Sequence, residues 1–122
     1  MRLIRIGYWA GDGGRWPDVH DFVDANWAKD DQVDCMLYLR RGLLAHAYFG
    51  PSVCRLCGKL NGSVELTDFV YIWPEGLEHY LAEHAVRLPD EFVRHVREQA
   101  RLMDDVEVDD SWWLEQRYRS PS

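Results

Sequence analysis

The sequence has no long hydrophobic run. No apolar stretch approaches the roughly 20 residues that a membrane-spanning helix needs. The opening Met1-Arg2-Leu3-Ile4-Arg5 has neither the apolar core nor the cleavage pattern of a secretory leader, so the chain reads as cytoplasmic. Cysteine is scarce, and its count of three is odd, which argues against a disulfide framework. Positive charge is also short. Fourteen Lys and Arg face 21 Asp and Glu, for a net charge of -7. Nucleic-acid binding draws most of its affinity from cations on phosphates. The few candidate patches, Arg40-Arg41 and Arg94, Arg97, Arg101, have acids close by in sequence. Acidity fits solubility or a basic protein partner better. There is no internal repeat and no low-complexity tract.

What is present is enough for one folded domain. The chain has 122 residues, 47% of them hydrophobic. A domain of this size buries roughly two thirds of its unfolded surface, so a core forms without staples.

Arg2 to Trp9 is rich in β-branched and aromatic residues and reads as a strand. Gly11-Asp12-Gly13-Gly14 breaks it. A short helical segment over Asp18 to Asp24 places Val19, Phe22 and Val23 on one face. A helix follows, with Asp30 expected as N-cap and Gly42 as the residue past its end. Its expected apolar stripe is Val33, Met36, Leu37 and Leu39. Cys35 lies in this helix and reads as a buried small hydrophobe; the minor alternative is a substitute ligand or reactive thiol. Leu43 to Phe49 reads as a strand. Val64 to Thr67 and Phe69 to Trp73 read as the arms of a hairpin bent near Asp68. Pro74 is expected in the first turn of a helix running to His84, and Pro89 opens another. Phe92, Val93, Val96, Ala100 and Met103 follow at helical spacing. Five acids between Asp104 and Asp110 oppose the helix dipole, so that helix ends there. Ser111 is expected to cap a last short helix carrying Trp112, Trp113 and Leu114.

The strongest chemical signal is Cys54-Arg55-Leu56-Cys57-Gly58, with His79 and His84 downstream. Two thiolates on a tight turn and two imidazoles on a helix give a tetrahedral zinc ion all four ligands. Gly58 permits the positive φ that such a turn often needs. A five-residue step on an ideal helix turns about 500°, so the two rings start out roughly 140° apart. Convergence requires the helix to loosen or end near His84, and Val86-Arg87-Leu88-Pro89 supports an ending. The 21 residues between Cys57 and His79 exceed the finger spacing of about 12–15. The hairpin absorbs the excess. His46, just before the cysteines, is the first substitute if one ligand differs; His95 is the second.

Three stretches resemble a group of small uncharacterised bacterial proteins. They are Cys54-Arg55-x-Cys57-Gly58, then Asn61-Gly62-Ser63-x-Glu65-Leu66-Thr67-Asp68, then Trp73-Pro74-Glu75-Gly76-Leu77-x-His79-Tyr80 through His84-x-Val86-Arg87-Leu88-Pro89 to Glu91-Phe92-Val93. Trp16-Pro17 and Asp21-Phe22-Val23 belong less specifically to the same pattern. The resemblance covers roughly residues 8 to 98. It implies a bacterial cytosolic protein and supports the four ligands; it carries no activity. The ligand set is also loosely similar to Cys2His2 zinc fingers, but the long interval and the acidic charge depart from that family.

Other chemistry is less well supported. His79-Tyr80-Leu81-Ala82-Glu83-His84 matches neither H-x-x-E-H nor H-E-x-x-H. A hydrolase reading would take Glu83 as base and leave one metal position open. Turn residues follow Cys57, so a thioredoxin-like redox pair is disfavoured. Gly11 to Gly14 has no Lys and no Ser or Thr, so it is a loop and not a phosphate cradle.

The expected fold is α+β: a small zinc-tied single domain over 1–103. It has short antiparallel strands, a zinc-knuckle hairpin-helix unit, and two or three further helices. An acidic tail over 104–122 is expected to dock on it, with a partner hot spot at Trp112-Trp113 as the alternative. The expected metal ligands are Cys54, Cys57, His79 and His84, with structural Zn2+ as cofactor. The expected function is a non-enzymatic zinc-stabilised protein-interaction module. One version is an acidic inhibitor or immunity-type protein masking a basic partner. The alternatives are a nucleic-acid-binding finger and a small zinc hydrolase.

Overall fold

A computed structural model describes residues 1–11, 15–47 and 50–118. Most of the loop Gly11 to Gly14 and the last two residues of the expected strand Leu43 to Phe49 therefore lie outside the described residues. The fold is a small α+β domain with a four-stranded sheet.

The strands are β1 (Ile4–Arg5), β2 (Leu43–Ala47), β3 (Val64–Thr67) and β4 (Tyr71–Pro74), in the order β1-β4-β3-β2. β2, β3 and β4 pair antiparallel, while β1 joins β4 in parallel. Only Ile4 and Arg5 of the expected first strand form ladder pairs. The hairpin is shorter than its sequence suggested. Asp68 bonds the amides of Val70 (2.9 Å) and Tyr71 (2.7 Å), which fixes an Asx-type turn, and Phe69 sits in that turn at φ +72°. Pro74 ends β4 and does not begin a helix. The amide of Glu75 bonds the Val64 carbonyl at 3.0 Å, so the neighbouring Pro74 nitrogen faces away from β3. β1 stops opposite Ile72 and asks nothing of it.

Successive residues of a strand face opposite sides. Leu66 and Trp73, paired across β3 and β4, join the main core. Glu65, Thr67 and Ile72 are buried on the other side.

Four α-helices follow the expected order: α1 (Lys29–Arg40), α2 (Leu77–His84), α3 (Asp90–Asp104) and α4 (Ser111–Glu115). Val19–Phe22 forms a single 3₁₀ turn. α1 begins earlier than expected, after Ala28, so Asp30 lies in its first turn. Its buried face also differs. Val33 and Leu37 are exposed, and Cys35 and Leu39 are buried. The reason is Gln32, whose amide donates to the Leu81 carbonyl at 2.6 Å and turns a polar residue toward α2. α1 packs against both α2 and α3. Cys35 and Leu39, Leu77 and Leu81, and Phe92, Val93 and Val96 thereby close one core around Trp73. Fully burying such side chains is worth about 1.5–3 kcal/mol each. The Trp73 indole donates to the Leu39 carbonyl at 3.3 Å.

Burial pushes the Cys35 thiol up to about 12, with Asp31 and Asp34 adding to the effect. It is a buried thiol and not a nucleophile. α3 outruns the core: Ala100 and Met103 are exposed. Ser111 is the first residue of α4, and the Asp109 carboxylate receives its amide at 2.8 Å. The described part of the tail expected to dock exposes Val106, Val108, Trp112, Trp113 and Leu114. Trp112 is 67% and Trp113 70% exposed, and the two rings stack on each other. Among the described residues no helix is long and apolar enough to cross a membrane.

Candidate metal centre

The cysteine turn is built by a hairpin of its own. The amide of Ser52 bonds the Gly62 carbonyl and the amide of Asn61 bonds the Ser52 carbonyl, both at 2.8 Å. Val53 and Leu60 form a single antiparallel bridge inside them. At the tip the Cys54 amide bonds the Lys59 carbonyl and the Gly58 amide bonds the Cys54 carbonyl, both at 2.9 Å. Closing that loop requires a left-handed residue. Gly58 supplies it at φ +74°. The Leu56 amide then points at Cys54 Sγ, 3.4 Å away, as a thiolate acceptor in such a turn requires.

The helix that carries the histidines is pinned to this turn. Asn61 donates through Nδ2 to the Gly76 carbonyl at 3.0 Å. The approach is so close that a Cβ on Gly76 would meet the Asn61 carbonyl oxygen at 2.3 Å, which requires glycine at the start of α2. One turn later the buried Tyr80 accepts the Arg55 amide on its hydroxyl at 2.8 Å. Burial first, and then the neighbouring Cys54 side chain, push the Tyr80 phenol above its ordinary range, against the opposing pull of the Arg55 amide.

α2 stops at His84. Ala85 takes the left-handed conformation at φ +52°, and the amides of both Ala85 and Val86 bond back to the Tyr80 carbonyl, the latter at 3.2 Å, which closes the helix end. Residues past the stop are held by the N-terminal segment. Asp24 bonds the Ala85 carbonyl and Arg87 the Phe22 carbonyl through their amides, both at 2.8 Å. His84 thus sits where the helix ends, which the five-residue step demands.

Cys54, Cys57, His79 and His84 each offer one ligand atom, and these atoms lie within 4.8 Å of one another. Cys57 Sγ and His79 Nε2 are 3.4 Å apart, and the two imidazole centroids are 5.1 Å apart. These four residues lie close enough to hold a metal ion. His84 gives an independent indication. Its Nε2 is buried and meets no hydrogen-bond partner among the described residues. A buried polar atom without a partner costs about 1–3 kcal/mol, which a bound cation would remove. Two sulfurs and two imidazoles suit zinc by softness and number.

His46 and His95 are elsewhere. His46 lies 3.4 Å from Glu65 on the sheet. His95 bonds Asp68 at 2.6 Å between α3 and the β3–β4 turn. Glu83 is exposed.

Two polar clusters escaped the sequence reading. Glu65, 6% exposed, is held by Arg5 at 2.7 Å and by the Tyr8 hydroxyl. Asp68 takes the Tyr38 hydroxyl at 2.5 Å beside His95. The side chains that bond each carboxylate lie 27 to 60 residues from it, so no local pattern marks the clusters. Comparison with protein-family models, with curated proteins and with solved structures gives no match.

Proposed function

We propose that this chain is a non-enzymatic, zinc-stabilised protein-interaction module whose acidic C-terminal arm meets a basic protein partner. The observation that carries the reading is the exposed Trp112-Trp113 pair. Leu114 beside it is also exposed, and the helix follows the acids Asp104 to Asp110. Trp is the residue most enriched at the energetic centres of protein interfaces. Flanking negative charge speeds encounter with a basic surface and selects against acidic ones. An inhibitor or immunity-type protein that masks a basic partner is the specific form this takes.

The set of four donors supports the non-enzymatic part. Four protein ligands complete a tetrahedral zinc shell, whereas a hydrolase keeps one position for water. The exposed Glu83 of α2, next to His84, would repel a phosphate backbone.

The test is affinity capture from an extract of the native cell, using three baits: the full chain, the 1–103 truncation, and Trp112→Ala/Trp113→Ala. The expected result is a basic protein retained by the full chain, eluted by salt, and lost from both altered baits. Capture of the same proteins by all three would contradict the reading.

A further inference from the structure

A cavity of about 340 Å³ lies between the cysteine turn and the N-terminal segment. That is within the usual range of small-molecule sites, about 300–1,000 Å³. Its walls include Tyr8, Trp9 and Trp16 of the N-terminal segment, Gly50 to Val53, Arg55 and Asn61 of the cysteine hairpin, and Pro74, Gly76 and Tyr80.

The chemistry of these walls is one-sided. Among the described residues no acid lines this cavity, and the one charged wall residue is Arg55. The Arg55 guanidinium makes no ion pair among the described residues. The nearest acids in sequence are already engaged. Glu65 holds Arg5 and Tyr8, Asp68 holds Tyr38 and His95, and Glu75 accepts the Ser63 amide at 2.6 Å. Trp9, a buried wall residue, has an indole N–H with no acceptor among the described residues, and that nitrogen lies behind the wall and not on the cavity surface. A second cation flanks the site: the Arg15 guanidinium stacks on the Trp16 ring, 4.7 Å from its centroid. The rings themselves are pre-arranged, with Tyr8 and Trp16 centroids 5.7 Å apart and Trp9 and Tyr80 centroids 6.0 Å apart.

Among the described residues the site thus offers aromatic faces and one guanidinium outside any ion pair, and no carboxylate. An occupant that satisfies both is flat, apolar over its body, and anionic at one end. We propose that this cavity binds a small planar aromatic carboxylate, with the carboxylate on Arg55 and the ring between Trp16 and Tyr80. A guanidinium matches a carboxylate with two parallel hydrogen bonds, which gives direction as well as affinity. Arg55 sits inside the Cys-x2-Cys turn, so the turn that holds the metal ligands also presents the anion donor. The proposal does not depend on the role of the C-terminal arm.

The test is calorimetric titration of the full-length, metal-loaded protein with benzoate, indole-3-carboxylate and 2-naphthoate, and with the neutral 2-naphthamide. The expected result is saturable binding of 2-naphthoate with Kd below about 1 mM and at least about tenfold weaker binding of the amide. Arg55→Gln should lose about tenfold in affinity for the acid and none for the amide. Where Arg55→Gln disturbs the metal turn, judged by metal content and melting temperature, Trp16→Ala replaces it. That variant lies outside the turn and should weaken acid and amide alike by about tenfold. The indole N–H resonance of Trp9 should shift on saturation. The proposal is overturned if none of the acids saturates below about 10 mM, or if the amide binds as tightly as the acid. It is equally overturned if the well-folded variants bind like the parent.

Discussion

Asp68 is fixed by four donors: the Tyr38 hydroxyl, His95 Nε2, and the amides of Val70 and Tyr71. Burial works to raise its carboxyl, but these hydrogen bonds outweigh it and hold the group below its ordinary value of 3.8. A carboxyl depressed in the folded state contributes stability above its unfolded pKa and loses it as pH falls through the folded value. Tyr38→Phe removes one donor to a buried charge and should cost about 1.5–3 kcal/mol at neutral pH. Denaturant unfolding at pH 7 checks this, and the gap from the parent should narrow as pH falls below about 4. An equal loss at every pH would mean the hydroxyl acts through packing alone. Nothing in the sequence marked this residue beyond its place at a bend, because its partners come from α1 and α3. The four residues that lie close enough to hold a metal ion were legible for the opposite reason. Cysteine pairs and histidine pairs at short spacing have few other uses in a chain with three cysteines.

The ending of α2 shows the same contrast among elements. Sequence spacing required a stop near His84, and the stop is there, but the residue that makes it is Ala85 and not glycine. A left-handed alanine costs roughly 1 kcal/mol that glycine would not. Ala85→Gly should therefore stabilise the folded, metal-loaded protein by about 0.5–1 kcal/mol. Thermal melting under fixed metal concentration measures it; a lower melting temperature would show that the alanine methyl group is needed for packing. β3 was legible to the residue, since alternation and the Asn61-Gly62 turn bound it on one side and Asp68 on the other. β1 was overread, because ladder length depends on how much of β4 remains free. α1 was misaligned, because Gln32 looks like a surface residue and is spent on the Leu81 carbonyl. Pro74 fits the end of a strand as well as the start of a helix, and only the direction of its nitrogen separates the two.

Taken whole, the molecule joins two halves through one small centre. The cysteine turn belongs to the segment between β2 and β3, and the histidines belong to α2. Without a cation the contacts across this seam include the Asn61–Gly76 and Arg55–Tyr80 hydrogen bonds. Such bonds contribute about 1 kcal/mol each. Structural zinc in finger peptides contributes an apparent ~10–16 kcal/mol, as much as the whole net stability of a typical domain, ~5–15 kcal/mol. The magnitude decides between the two. Loss of the ion should unfold the chain from about residue 50 to 88, including the turn that presents Arg55. The most direct measurement pairs elemental analysis of protein purified without affinity metals with thermal unfolding before and after chelation. One zinc per chain and collapse of the cooperative transition on its removal, reproduced by Cys54→Ser, are the expected results. A chain that carries no transition metal, or that melts unchanged after verified removal, would contradict the account.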